Sequence, residues 1–243
     1  MEFLRSFFDP RVAAPQAGLI AAAILPALVL LFYIYKRDRV NKEPDMLLLA
    51  LVLLGMASVF IALVLELIGT GMLSLYLEEE TIPYLLLDNF IVIGAAEEGS
   101  KFLMLRLKTW RSPHFDCSFD AVVYAVFVSL GFALAENVGY VLLGGLSTAL
   151  LRAATSVPGH MSFGVFMGAC YSLARVNANR GLHSRSRLWQ MLAVVLPALF
   201  HGSYDFICEL PNGTAFLVYP FAAGMILCAF LLVRALARKD RYI

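Results

Sequence analysis

Leu, Ile, Val, Ala and Phe run along this chain in blocks of about twenty residues, broken by short clusters of charge. A helix rising about 1.5 Å per residue needs about twenty apolar residues to cross the hydrocarbon core of a bilayer. Seven blocks meet that length, at 17–35, 46–69, 84–107, 119–143, 148–174, 188–210 and 214–234. They predict an all-α, polytopic membrane protein of about seven spanning helices, forming a single domain over 1–243 with no soluble module. Pro26 and Pro197 fall inside blocks, where membrane helices tolerate proline because neighbouring groups satisfy the freed carbonyl. The first block exceeds the apolar core of a signal peptide, about 7–15 residues, and reads as a retained span. Residues 1–12 are amphipathic and are expected on the membrane surface.

Composition agrees with the pattern. The chain is 60% hydrophobic and 15% charged, against about 45–50% and about 25% in soluble domains. A net charge of +1 leaves no general basic surface for nucleic acid. The four cysteines (Cys117, Cys170, Cys208 and Cys228) show no CxxC spacing and read as core residues. With seven alternating spans, fifteen Lys and Arg residues fall on one side, in the loops after spans 1, 3 and 5 and after span 7. The other side holds Arg5, Arg11 and Arg152, with the acidic Glu78-Glu79-Glu80 and the neutral Pro211-Asn212-Gly213-Thr214. Basic residues mark cytoplasmic loops, so the N-terminus is expected outside and the C-terminus in the cytoplasm.

Polar residues inside the apolar blocks change the picture most. A charge at the centre of a spanning helix costs about 2.5–3.5 kcal/mol even on the lenient insertion scale. Span 2 carries Glu66, and span 3 carries Asp88, Glu97, Glu98 and Lys101. Span 4 holds Asp120 at its start, then Glu136 and Asn137; span 5 holds Arg152 near its outer end and His160; span 6 holds His201, Asp205 and Glu209. Lys101 stands four residues after Glu97 and three after Glu98, so it can neutralise either along one helix face. That leaves one carboxylate over. Asp205 lies one turn after His201, a spacing that orients an imidazole and raises its basicity. Glu136 has no basic residue at i±3 or i±4 and must be protonated, face a wet cavity, or find a cation on another helix. Counted from the outer ends, Glu97, His160, His201 and Glu136 fall about 20, 18, 14 and 11 Å deep, which allows them to share one layer. Gly164 and Gly168, on the His160 face of span 5, form a small-xxx-small motif for close helix approach.

Buried carboxylates with histidines can activate water, move protons or hold a metal such as zinc with a position left for water. The HExxH motif is absent, and so is a Gly-x-Ser-x-Gly elbow. Proton- or ion-coupled transport and a non-catalytic membrane scaffold are the competing classes. Buried carboxylates would suit a transporter, but no inverted repeat is visible.

Three motifs occur in order: Glu97-Glu98-Gly99-Ser100-Lys101, Phe132-Ala133-Leu134-Ala135-Glu136 and His201-Gly202-Ser203-Tyr204-Asp205. With Lys42-Glu43-Pro44, Glu136-Asn137 before Tyr140, and Pro158-Gly159-His160, they resemble the PrsW family of intramembrane proteases over about residues 30–230. That family is grouped with the CAAX prenyl endopeptidases and bacteriocin-processing proteins. The resemblance implies cleavage of a membrane-anchored protein, such as first-site cleavage of an anti-sigma factor in envelope stress signalling, in a bacterial or archaeal cytoplasmic membrane. It implies a catalytic set of Glu97, Glu98, Lys101, Glu136, His160, His201 and Asp205. Glu97 and Glu98 would activate water with support from Lys101, and Asp205 would orient His201. Glu97, Glu136, His160 and His201 are the candidate ligands should the mechanism use Zn2+. Glu136 stands where the prenyl endopeptidases carry His.

Overall fold

The computed structural model describes residues 10–79, 81–210 and 213–243, with side chains from Gln16 onward. Most of the surface segment expected over 1–12, and Glu80, Pro211 and Asn212 of the short loops, lie outside the described residues. Helix α1 spans Pro10–Arg37 and α2 Asp45–Leu73. The short α3, Ile82–Leu87, continues through a π-helical turn, Asp88–Ile93, into α4, Gly94–Thr109. Then come α5 (Asp120–Ala154), α6 (Ser156–Asn179), α7 (His183–Glu209), a 3-10 turn at Thr214–Leu217, and α8 (Val218–Arg238).

Among the described residues, five stretches are long and apolar enough to cross a membrane: Gln16–Arg37, Asp45–Leu73, Asp120–Asn179, His183–Glu209 and Thr214–Arg238. The third covers 60 residues and is folded back on itself. Asn137 and Arg152 would be about 22 Å apart on a straight helix, yet Arg152 Nε donates to Asn137 Oδ1 over 2.7 Å. The reversal comes at Gly145 (φ 72°, ψ −160°), a backbone region open to glycine and closed to most side chains. The returning arm breaks once more at Thr155 (φ −122°, ψ −70°). The blocks expected at 119–143 and 148–174 therefore lie on the two arms of one hairpin. The block expected at 84–107 is the composite rod of α3, the π turn and α4, whose charges set it apart from the apolar stretches.

The first arm of α5 is the centre of the bundle, buried without interruption from Asp120 to Leu134. Helix α6 seats on it through small residues: a Cβ on Gly164 would sit 2.9 Å from Val126 Cα, and one on Gly168 2.5 Å from Val122 Cα. Helices α1 and α2 pack on its other sides, and Asn137 Nδ2 donates to the Ala23 carbonyl of α1 over 2.7 Å. Phe32, Phe60, Leu67 and Leu227 are exposed on the outer faces, while Glu98 and Lys101 are fully buried. Apolar residues outside and charges inside suit a multi-pass protein solvated by lipid. Cys117 and Cys170 are buried, but Cys208 and Cys228 are exposed. The expectation that all four cysteines are core residues thus holds for two; Cys208 borders a cavity between the helices, and a lipid-facing surface accepts a small, soft side chain such as that of Cys228 as readily as the interior does.

At the end of the bundle near the start of α5, the connections before α2 and before α5 meet the segment after α8. Ser118 N–H donates to the Arg241 carbonyl at 2.9 Å, and Ile243 N–H to that of Asp116 at 2.8 Å. Burial pushes the Glu43 carboxyl up to about 7 and raises that of Asp38.

Candidate active site

The π turn and α7 touch backbone to backbone. A Cβ on Gly202 would sit 2.8 Å from the Asn89 carbonyl oxygen, and one on Gly94 2.8 Å from that of Ala198. That approach brings His201, next to Gly202, onto the carboxylates of α4. The widened turn is held by side chains too. Asp88 accepts from Thr70 Oγ1 at 2.8 Å, and Asn89 Nδ2 donates to Glu209 Oε2 at 2.8 Å.

Lys101 is the hub. Its Nζ lies 3.0 Å from Glu97 Oε2, 2.8 Å from Glu98 Oε1 and 3.2 Å from His160 Nδ1. It also sits 3.9 Å from the centre of the Phe132 ring, whose negative face attracts a cation. An ammonium has three protons and no acceptor, so all three are engaged and His160 Nδ1 must accept. The proton of His160 is thereby placed on Nε2, which donates to Glu136 Oε2 at 2.8 Å. Spacing alone let Lys101 neutralise one carboxylate; the folded chain sets it against both.

His201 supplies the remaining partner. Its Nδ1 is 3.0 Å from Glu98 Oε1 and 3.7 Å from Glu97 Oε2, and its Nε2 is 3.2 Å from Asp205 Oδ2. With a carboxylate against each nitrogen, the ring is fixed in orientation at both ends. Phe163 stacks on it with centroids 4.7 Å apart, and His160 meets it edge-on at 5.4 Å.

Glu136 obtains its cation from the returning arm of the hairpin, where Arg152 Nη2 lies 3.0 Å away. The Arg152 guanidinium also lies 4.1 Å from the Tyr140 ring. Arg152 was expected near the outer end of its span, and the reversal at Gly145 lays that end against Glu136 of the first arm, a pairing that nothing in local spacing signals. Phe163 was missed for a related reason, since an aromatic in an apolar block carries no mark of what it covers.

The contacts thus run unbroken from Asp205 through His201, Glu98, Lys101, His160 and Glu136 to Arg152, with Glu97 on the side of Lys101. A cavity of about 210 Å³ opens beside them, bordered by Glu97, Glu136, His160, His201, Asp205 and Arg152. Glu98 and Lys101 stand behind that wall, and Glu66 also borders the space. Among the described residues, Glu97, Glu98 and His201 bring one donor atom each within 4.8 Å of one another. Glu98 Oε2 is buried without a hydrogen-bond partner. Carboxylate and imidazole donors with a spare oxygen fit a divalent metal. Of the four ligands anticipated from sequence, Glu97 and His201 are in this cluster, whereas Glu136 and His160 bind each other and Glu98 takes a place.

A lipid-solvated helical bundle enclosing a chamber of carboxylates, histidines and a buried lysine defines a membrane-embedded hydrolase-like centre. The profile of the PrsW family intramembrane metalloprotease matches residues 43–235. Three bacterial proteins named Protease PrsW are similar to the chain. That of Bacillus subtilis (strain 168) is 34% identical over 208 residues, 84% of this chain and 88% of the relative. That of Shouchella clausii (strain KSM-K16) is 30% identical over 227 residues, covering 93% and 99%. That of Clostridioides difficile (strain 630) is 33% identical over 196 residues, covering 79% of each. No solved structure gives a significant match. The chain belongs to the PrsW family of intramembrane metalloproteases and is a membrane-embedded peptidase.

Proposed function

We propose that this peptidase cleaves a membrane-anchored protein, of the anti-sigma-factor kind its motifs imply, with Glu97 taking the proton of the attacking water. The observation that carries the assignment is the unequal placement of the two glutamates. Glu97 borders the cavity and commits Oε2 to Lys101. Glu98 is fully buried between Lys101 and His201. Glu97 therefore has access to water, and Glu98 holds its neighbours in place.

In this reading the water hydroxyl adds to the scissile carbonyl carbon while its proton passes to Glu97. As the C–N bond breaks, Glu97 returns that proton to the amine nitrogen. His201, held at Nε2 by Asp205, shares its Nδ1–H between Glu98 and the charge developing on the carbonyl oxygen. His160, locked by Lys101 and Glu136, forms the opposite wall beside Arg152. With an ion such as Zn2+ bound, Glu97, Glu98 and a neutral His201 would be its ligands, and the Lewis acidity it supplies toward the water or the carbonyl would stand in place of the His201 N–H. The rod at 84–107 is taken as a crossing and the 120–179 hairpin as two, giving seven, with the basic loops and the C-terminus cytoplasmic.

The test is cleavage of a reporter with a single membrane anchor in proteoliposomes. Glu97→Gln is expected to lower cleavage by about 10²–10⁴-fold, the usual worth of a positioned general base, with an unchanged helical spectrum. Cleavage at the wild-type rate by that variant would remove Glu97 from the mechanism.

A further inference from the structure

The opposite end of α5 gathers a second set of acidic groups, about 24 Å along the helix from Glu136. Asp38 and Glu43 come from the α1–α2 connection, Asp116 and Asp120 from the entry to α5, and Asp240 from the segment after α8. The set is not an ordinary solvated patch, because Asp38, Glu43 and Asp120 are 1%, 4% and 0% exposed.

Three of these carboxylates are anchored through one oxygen only. Asp38 Oδ2 accepts the Glu43 N–H at 3.4 Å. Asp120 Oδ2 accepts the N–H groups of Cys117 and Asp116 at 2.6 and 3.1 Å. Asp240 Oδ1 accepts the Phe119 N–H at 2.9 Å and the Ser118 hydroxyl at 3.1 Å. Their second oxygens, Asp38 Oδ1, Asp120 Oδ1 and Asp240 Oδ2, are buried with no hydrogen-bond partner, and so is Glu43 Oε2. Among the described residues, no Lys or Arg pairs with any of the five within 4.0 Å. Two nearby cations point to other partners. Lys42 Nζ lies 4.1 Å from the Tyr35 ring centre, and Arg175 donates to the Trp110 carbonyl at 2.8 Å. Asp116, Cys117 and Asp120 meanwhile bring one donor atom each within 4.8 Å of one another.

Buried, uncompensated carboxylates are among the costliest features a fold can carry. Anchored oxygens paired with free ones are what a cation site requires, since the first fix the geometry and the second bind; Asp116, whose two oxygens lie 3.4 and 3.1 Å from Asn41 Nδ2, would exchange that amide for the ion. We propose that this end of the bundle binds one divalent cation of the oxygen-preferring class (Mg2+, Mn2+ or Ca2+), ligated by Asp116 and Asp120 and enclosed by Asp38, Glu43 and Asp240. Carboxylates outnumber the single thiol of Cys117, and carboxylate-rich sites select hard cations over thiophilic ones. The ion ties together the three chain segments that meet there, independently of the chamber and of the peptidase reading.

Mn2+ is the probe, titrated into the detergent-solubilised full chain and followed by its electron paramagnetic resonance signal. One Mn2+ per chain is expected to stay bound in His201→Ala, where the chamber cluster has lost a ligand, and Mg2+ or Ca2+ should displace it. Asp116→Asn and Asp120→Asn should weaken that binding about tenfold or more, and Cys117→Ser should leave it unchanged. If Asp120→Asn loses its helical spectrum, Asp38→Asn and Asp240→Asn serve in its place, with weaker Mn2+ binding expected in both. Loss of all Mn2+ in His201→Ala overturns the proposal, and so does binding indifferent to every aspartate variant. Stoichiometric Zn2+ that Mg2+ and Ca2+ cannot displace, and that Cys117→Ser abolishes, overturns the choice of an oxygen-preferring ion.

Discussion

Replacing Lys101 with Met tests whether the chamber is held by one cation. Met keeps most of the length and flexibility of the side chain and removes the charge. Lys101 is fully buried and touches Glu97, Glu98 and His160 at 3.0, 2.8 and 3.2 Å. Without it, two adjacent carboxylates, Glu98 fully buried, keep only His201 beside them, and His160 Nδ1 loses the donor that fixes its tautomer. Breaking a buried pair from one side costs about 3–5 kcal/mol, most of it the charge left uncompensated. For a chain of this size about 2–4 °C accompanies each kcal/mol, so the midpoint of thermal unfolding should fall by about 6–20 °C. Circular dichroism of the helical band in detergent measures it. The control is the double variant Lys101→Met/Glu98→Gln. It removes the fully buried one of the two orphaned charges and leaves Glu97 beside the cavity, so it should recover much of the loss, because neutral replacement of both members of a buried pair is often tolerated. A single variant that melts within about 2 °C of wild type, or a double variant that melts lower still, would refute the role of Lys101 as the hub.

Asp205→Asn should reduce cleavage about 10–100-fold with little change in melting, the usual effect of losing a group that orients a functional histidine; reporter cleavage in proteoliposomes measures it, and a wild-type rate would detach Asp205 from His201. Gly202→Ala places a Cβ 2.8 Å from the Asn89 carbonyl oxygen, so it should cost about 1–3 kcal/mol as α7 is pushed off the π turn; thermal unfolding reads the cost, and an unchanged midpoint would show that this contact does not position α7. For topology, single cysteines at Lys42, Lys108 and Arg185 in a cysteine-free background should label only from the cytoplasmic side; labelling of any of the three from outside would reverse the orientation or change the number of crossings.

Much of the chamber could be read from sequence because a bilayer makes buried charge expensive. Glu97, Glu98, Lys101, Glu136, His160 and His201 stood out as costs needing an explanation, and the i,i+4 pairs Glu97–Lys101 and His201–Asp205 meet as their spacing predicted. The Phe132–Glu136 spacing shows its sense only in three dimensions: Phe132 carries the Lys101 ammonium on its ring, and one turn on Glu136 takes His160. What stayed hidden depended on backbone irregularity. The partner of Glu136 lies across a reversal at Gly145, which no local periodicity places against it. The membership of Glu98 in the His201 cluster depends on how closely α7 approaches the π turn, and that distance is set by two glycines on different elements.

The π turn and the break at Thr155 share a location. The π turn contributes Asn89 and Ile93 to the border of the chamber, and Ser156, beside the break at Thr155, borders it as well. Within a membrane, backbone that departs from the helix survives only where protein covers it or where it lines a wet cavity. The same physical demand therefore ties the breaks to the chamber. A chain that must admit water to hydrolyse a peptide bond gains a place where carbonyls and amides freed from the helical ladder can be satisfied. A chain that widens a helix there can also present Glu97 to the cavity while keeping Glu98 behind it. Straightening the π turn by deleting one residue from Asp88–Ile93 would rotate α4 by about 100° relative to α3, one residue's share of a 3.6-residue turn. With α4 still packed on α5 through Lys101 and Phe132, the strain would fall on the Asn89–Glu209 and Asp88–Thr70 contacts, so the polar pairs holding that turn are part of the apparatus that divides the two glutamates.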